Sequence, residues 1–165
     1  MMILVGPRAA HADVETQAAT EHPSARIYGS RLGLVGGMTA NGHVILEHDR
    51  FVALPSSRAL SSRDGHEYVV QLTYRGRTVV APVWDVGPWN QTDDFWAEER
   101  TGAPDLPRFM PEAQAAYTSG YNGGRSLNGR VVTAPVSIDI ADGLFEDLGM
   151  AQSDWLEVSF LWLTS

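Results

Sequence analysis

Two aspartates offer the clearest chemistry in this chain. Asp85 lies in the run Trp84-Asp85-Val86-Gly87-Pro88-Trp89, and Asp139 lies in Ile138-Asp139-Ile140. Two carboxyls can divide acid and base work, one donating a proton to a leaving group and the other acting as nucleophile or base. Either aspartate could equally accept backbone N–H groups and brace a loop. His48 and His43 are candidate acid/base partners, because histidine as a residue type titrates near neutrality. The simpler reading is two exposed loop histidines. Thr39 and Asn41 could bond ligand hydroxyls, although Asn41-Gly42 is also a strong tight-turn signal. Trp84, Trp89, Phe95, Trp96, Tyr117 and Tyr121 surround the Asp85 run. Ring-shaped ligands stack on such faces, with Trp84, Trp89, Trp96 and Tyr121 as the candidate platforms, but large aromatics are also ordinary core material.

The elements that must position these residues are mostly β. Tyr68, Val70, Leu72 and Tyr74 alternate with Val69, Gln71 and Thr73, the period-two pattern of a strand. Arg75-Gly76 supplies a tight turn. Thr78 to Asp85 returns with Val79, Ala81, Val83 and Asp85 on one face, which sets Asp85 at the edge of the core. Partial burial there favours the neutral form of a carboxyl. Gly87-Pro88 ends the strand, since proline cannot donate to the ladder. Residues 90–130, rich in Gly, Pro, Asn and Asp, read as a long surface excursion with one short helix. Pro111 suits its first position, Ala113, Ala116 and Tyr117 share a face, and Gly120 stops it. Val131 to Ile140 is strand-like, and Asp142 can cap a second short helix that ends at Gly149. Trp155 to Leu163 is a last strand. A small closed barrel accounts for these strands, because closure removes exposed edges.

Four segments in order resemble the rare lipoprotein A-like double-psi β-barrel family, related to barwin and expansin domains. They are Tyr28-Gly29 with Gly36-Gly37-Met38-Thr39-Ala40-Asn41-Gly42, then Val52-Ala53-Leu54-Pro55, then Val83 to Pro88, and finally Ile138-Asp139-Ile140 with Leu148-Gly149-Met150. The match spans roughly residues 26–163. It implies a six-stranded double-psi β-barrel with one or two short helices and a surface groove for polysaccharide. It also implies action on cell-wall glycan such as peptidoglycan, by a lytic transglycosylase or a glycosidase, with Asp85 as general acid/base. The family's arginine after the motif aspartate is Val86 here, and its histidine before the Leu-Pro motif is Phe51. A non-catalytic polysaccharide-binding module is the alternative expectation.

Composition narrows the partners. The chain has 165 residues, a formal net charge of −8 and twelve basic residues, all arginine and scattered. Nucleic acid would be repelled. With no cysteine, disulfides and zinc-thiolate sites are excluded. No apolar run approaches the roughly 20 residues of a membrane helix. The acidic stretch Asp93, Asp94, Glu98 and Glu99 lacks EF-hand spacing and reads as solvated surface. Gly123-Gly124-Arg125 lacks the context of a phosphate loop. No metal or other cofactor is therefore expected. Met1 to Val5 is apolar and Ala10-His11-Ala12 has the pattern of a signal-peptidase site, so residues 1–25 read as a flexible arm or signal-peptide remnant. An extracytoplasmic or secreted bacterial protein is the corresponding expectation. The arm could also add a strand to a neighbour, making a structural or assembly protein through self-association.

Overall fold

The computed structural model describes residues 21–164. The expectations for residues 1–20 lie outside them. β1 (Ser24–Arg31) starts two residues earlier than the expected barrel boundary. β2 (Val52–Leu54), β3 (Val69–Tyr74) and β4 (Arg77–Val86) follow. After the excursion come β5 (Val136–Ile140) and β6 (Asp154–Phe160). Two α-helices join them among the described residues, α1 (Glu112–Ser119) and α2 (Asp142–Asp147).

The six strands close into a barrel in the order β1-β5-β2-β4-β3-β6. The pairs β1·β5 and β2·β4 are parallel, and the other four are antiparallel. Exchanging β1, β2 and β3 for β4, β5 and β6 maps this pairing onto itself. The barrel therefore has an internal two-fold relation between its halves. Alternation explains the interior. Ile27, Val52, Leu54, Val70, Leu72, Ala81, Val83, Ile138, Ile140 and Val158 are all buried in one core cluster. Gly29 also faces inward, where an added Cβ would lie 2.8 Å from Leu156 and 3.1 Å from Ile140. A side chain there would push β1 off its neighbours.

The β3–β4 hairpin turns at Arg75 and Gly76, both at positive φ, as the sequence suggests. Four local expectations are corrected. Pro111 caps α1 with extended ψ rather than opening it, and Gly120 ends the helix in the left-handed region. Ala113 and Ala116 are buried, but Tyr117 turns outward. Asp142 begins α2 rather than capping it, and its carboxylate accepts from the Gly33 N–H while pairing with Arg31. β5 starts at Val136 rather than Val131.

The excursion is more than surface chain. Phe95 and Trp96 are buried, and their rings lie 5.8 and 5.9 Å from that of Phe160 in the barrel core. Trp96 is thus core, not a sugar platform. Asp93 and Asp94 are fully buried, against the expected solvated face, while Glu98 and Glu99 are exposed. Arg100 binds this segment together. Its guanidinium donates to Gly102, Pro107 and Met110 carbonyls at 2.8, 3.0 and 2.9 Å, and to Asp93 at 2.6 Å. Burial still pushes the Asp93 carboxyl up to about 6, despite Arg100 and the Glu112 N–H. Asp94 is also penalised by burial, but the N–H groups of Thr101 and Gly102 and the Arg58 guanidinium hold it low.

Candidate functional site: an acidic groove across four strands

Ala53 on β2 is in register with Asp85 on β4 and with Asp139 on β5. Asp139 is in turn in register with Ser30 on β1. Ser30, Asp139, Ala53 and Asp85 therefore form one row across four strands. The row lies outside the core, since Val52, Leu54, Ile138 and Ile140 on either side of it point inward.

A register slip places Asp85 in that row. Val52 pairs with Val83, but the next residue, Ala53, pairs with Asp85, so Trp84 is an extra residue on β4. Such a bulge re-aims a side chain. Asp85 consequently leaves the Val79-Ala81-Val83 face that simple alternation assigns to it and joins Asp139 over Ala53.

The two carboxylates line one groove of about 240 Å³ with Val86, Pro88, Trp89, Asn128 and Arg130. A section of about 350 Å³, lined by Ser30, Trp89, Arg130, Val136 and Asp139, adjoins one side. Another of about 180 Å³, lined by Asn90, Gln91, Thr92, Leu127 and Asn128, adjoins the other. The excursion supplies much of the wall.

The aspartates are held differently. Asp85 accepts the Ala40 N–H at 2.8 Å and the Val86 N–H at 2.9 Å through one oxygen. Asp139 accepts the Ser30 hydroxyl at 2.6 Å. Burial, opposed by that hydroxyl and reinforced by the charge of Asp85, pushes the Asp139 carboxyl up to about 6. Asp139 therefore keeps its proton to higher pH than an ordinary carboxyl does.

Trp89 is a half-buried wall of the groove. It packs against Ala113, Ala116 and Val132, and the Arg130 guanidinium lies 5.2 Å from its ring centroid. Among the described residues Arg130 has no carboxylate partner within ion-pair distance. Asn90 is clamped beneath the wall. It donates to the buried Glu112 carboxylate at 2.6 Å and accepts the Leu127 N–H at 2.8 Å. Burial raises the Glu112 carboxyl, whose second oxygen is unpartnered.

Other sequence candidates lie elsewhere. Thr39 and Asn41 bond one another at 2.7 Å, and the Asn41 amide donates to the Ser61 and Ser62 carbonyls. Their polar groups thus serve the turn rather than a ligand. Trp84 stacks on Phe51 at 5.6 Å and donates to the Gly65 carbonyl, forming a small core outside the barrel. His43 joins that cluster, 4.8 Å from the Trp84 ring and 2.6 Å from Asp49. His48 is exposed and does not line the groove. Tyr121 donates to Asp105 at 2.6 Å, a bond that drives its phenol up to about 12, and it too is outside the groove. Arg130, Asn90, Glu112 and Arg100 are the residues that sequence reasoning missed. No local pattern marks them, because they matter only once the excursion folds back. Among the described residues no group of three or more His, Cys, Asp or Glu could hold a metal ion. No helix among them is long and apolar enough to cross a membrane.

The fold and site together define a closed β-barrel domain with a carboxylate-floored groove. The chain belongs to the family described as "Domain of unknown function (DUF8814)", whose model matches residues 23–159. A solved structure titled "Streptomyces papain inhibitor (SPI)" is similar, with a TM-score of 0.44 and 14% identity over 84% of this chain and 94% of that one. No curated protein matches.

Proposed function

We propose that this protein cleaves a cell-wall glycan such as peptidoglycan in the groove floored by Asp85 and Asp139. The observation that carries the reading is the register of these two carboxyls on either side of Ala53. Ala53 has only a methyl group, so nothing large stands between them. Asp139, holding its proton to about 6, is suited to protonate the leaving glycosidic oxygen. As that C–O bond breaks, the sugar's own hydroxyl attacks the anomeric carbon and returns its proton to the Asp139 carboxylate. The Asp85 carboxylate stabilises the positive charge that develops on the sugar. The acid/base role that the sequence suggests for Asp85 thus passes to its neighbour. Trp89 offers the stacking wall.

The resemblance to the rare lipoprotein A-like family agrees with this reading, and with a double-psi barrel type. The exchange relation between the two halves, with parallel pairs flanking the central β2·β5 pair, supports that type. A cell-wall substrate also implies a location outside the cytoplasm. The test is to incubate the protein with purified sacculi and separate the soluble products. Release by the parent and not by Asp139→Asn is expected. No soluble product from the parent after long incubation would remove the catalytic reading.

One observation favours a second reading, a polysaccharide-binding module without catalysis. Asp85 is engaged by two backbone N–H groups, as a brace would be. Sacculus binding that needs Trp89, with no products, would distinguish it.

A further inference from the structure

A second depression lies on the same outer surface, beyond the end of the groove. It has a volume of about 240 Å³ and is lined by Arg26, Gln114 and Trp155. Three features point to a ligand. The Gln114 side-chain oxygen is buried and has no hydrogen-bond partner. A buried acceptor left unmade costs stability, so its retention requires an explanation. Trp155 is half-buried, and the Arg26 guanidinium lies 5.5 Å from its ring centroid. Arg26 itself is exposed and, among the described residues, has no carboxylate within ion-pair distance.

The barrel joins this depression to the groove. Tyr28 on β1 is in register with Val136 on β5 and with Trp155 on β6. Val136 lines the Ser30–Asp139 end of the groove, and Trp155 lines the depression. One residue therefore separates the two, and adjacent strands lie about 4.8 Å apart. Tyr28 meets Trp155 edge-on at 5.3 Å and donates its hydroxyl to the Ser153 carbonyl, so its ring is fixed between them. Along β1, Ser30, Tyr28 and Arg26 alternate with the buried Gly29 and Ile27 and so share the outer face.

We propose that Arg26, Gln114 and Trp155 form a distal subsite that takes a further sugar ring of a polymeric glycan whose reacting bond lies over Asp139. This rests on the glycan reading of the groove. A ring would stack on Trp155, accept from Arg26 through a ring oxygen or a carboxylate substituent, and donate a hydroxyl to the Gln114 oxygen once the amide rotates toward the depression. The subsite makes the protein selective for long strands over short fragments.

The test is binding of glycan strands purified from sacculi and fractionated by length, measured by calorimetry for the parent, Trp155→Ala and Gln114→Leu. Trp155→Ala should weaken long strands about tenfold and leave the shortest fraction unchanged. Because Trp155→Ala can also disturb the fold, Gln114→Leu is the second variant. It removes an unsatisfied acceptor, so its thermal midpoint should be equal to or above the parent's while long-strand binding still weakens. If the parent binds long strands and both variants retain its preference for length, the distal subsite is overturned alone. If the parent binds no fraction, the glycan reading falls and the subsite with it.

Discussion

Asp139 and Asp85 face the same groove from β5 and β4, in register with the two sides of Ala53. Asp85 acts on the proton of Asp139. The charge of Asp85 adds to burial in keeping the proton on Asp139, and only Asp139 is bonded to a hydroxyl, that of Ser30. Two chemically identical side chains thereby sit in different surroundings.

Activity on sacculi should fall as pH rises through about 6, where Asp139 loses its proton. Asp139→Asn should lower the rate by roughly 10²-fold or more, the usual worth of a placed general acid. A parent rate that is flat between pH 5 and pH 8 would count against Asp139 as the acid.

The same carboxyl makes a stability prediction that needs no substrate. Its folded pKa is raised from 3.8 to about 6, so the folded state binds the proton more tightly than the unfolded state. Stability is therefore lost as pH rises from about 4 to about 6 and stays lower above that. Asp139→Asn keeps the acceptor for Ser30 and removes the charge. It should stabilise the protein by roughly 2 kcal/mol at pH 8 and little at pH 4. Urea unfolding at the two pH values measures this. Asp93 titrates in the same range, but it is common to both proteins and cancels in the difference.

Trp89 and Trp96 should separate cleanly. Trp96 lies in the core against Phe160, so Trp96→Ala should cost about 3–5 kcal/mol. Trp89→Ala should lose much less stability and reduce sacculus retention instead. Pull-down and thermal melts of both variants check the pair. Equal retention by Trp89→Ala and parent would remove Trp89 from the binding surface.

Arg100 should prove the organiser of the excursion. Arg100→Met leaves the Asp93 carboxyl buried beside an apolar side chain, a change that costs about 3–5 kcal/mol. Adding Asp93→Asn should recover part of that loss, because the buried charge is then gone. A double-mutant cycle in chemical denaturation measures the coupling. Additive losses would mean that the ion pair is not what holds the segment.

Local order was written plainly in the chain. The alternation from Tyr68 to Tyr74, the Arg75-Gly76 turn, the stop at Gly87-Pro88 and the αL ends at Gly120 and Gly149 follow from side-chain period and backbone freedom. These are short-range effects. The sequence also singled out Asp85 and Asp139, yet alternation set Asp85 on the core face of β4. Only pairing with β2 introduces the extra residue at Trp84 and turns Asp85 outward beside Asp139. The excursion shows the same limit. Asp93, Asp94 and Trp96 look like polar-loop residues by composition, but Arg100, Arg58 and Phe160 draw them inside. Arg130 and Asn90 reach the groove for the same reason. Register and burial depend on partners far along the chain, so residue types and spacing nominated the groups, and barrel closure decided which of them meet.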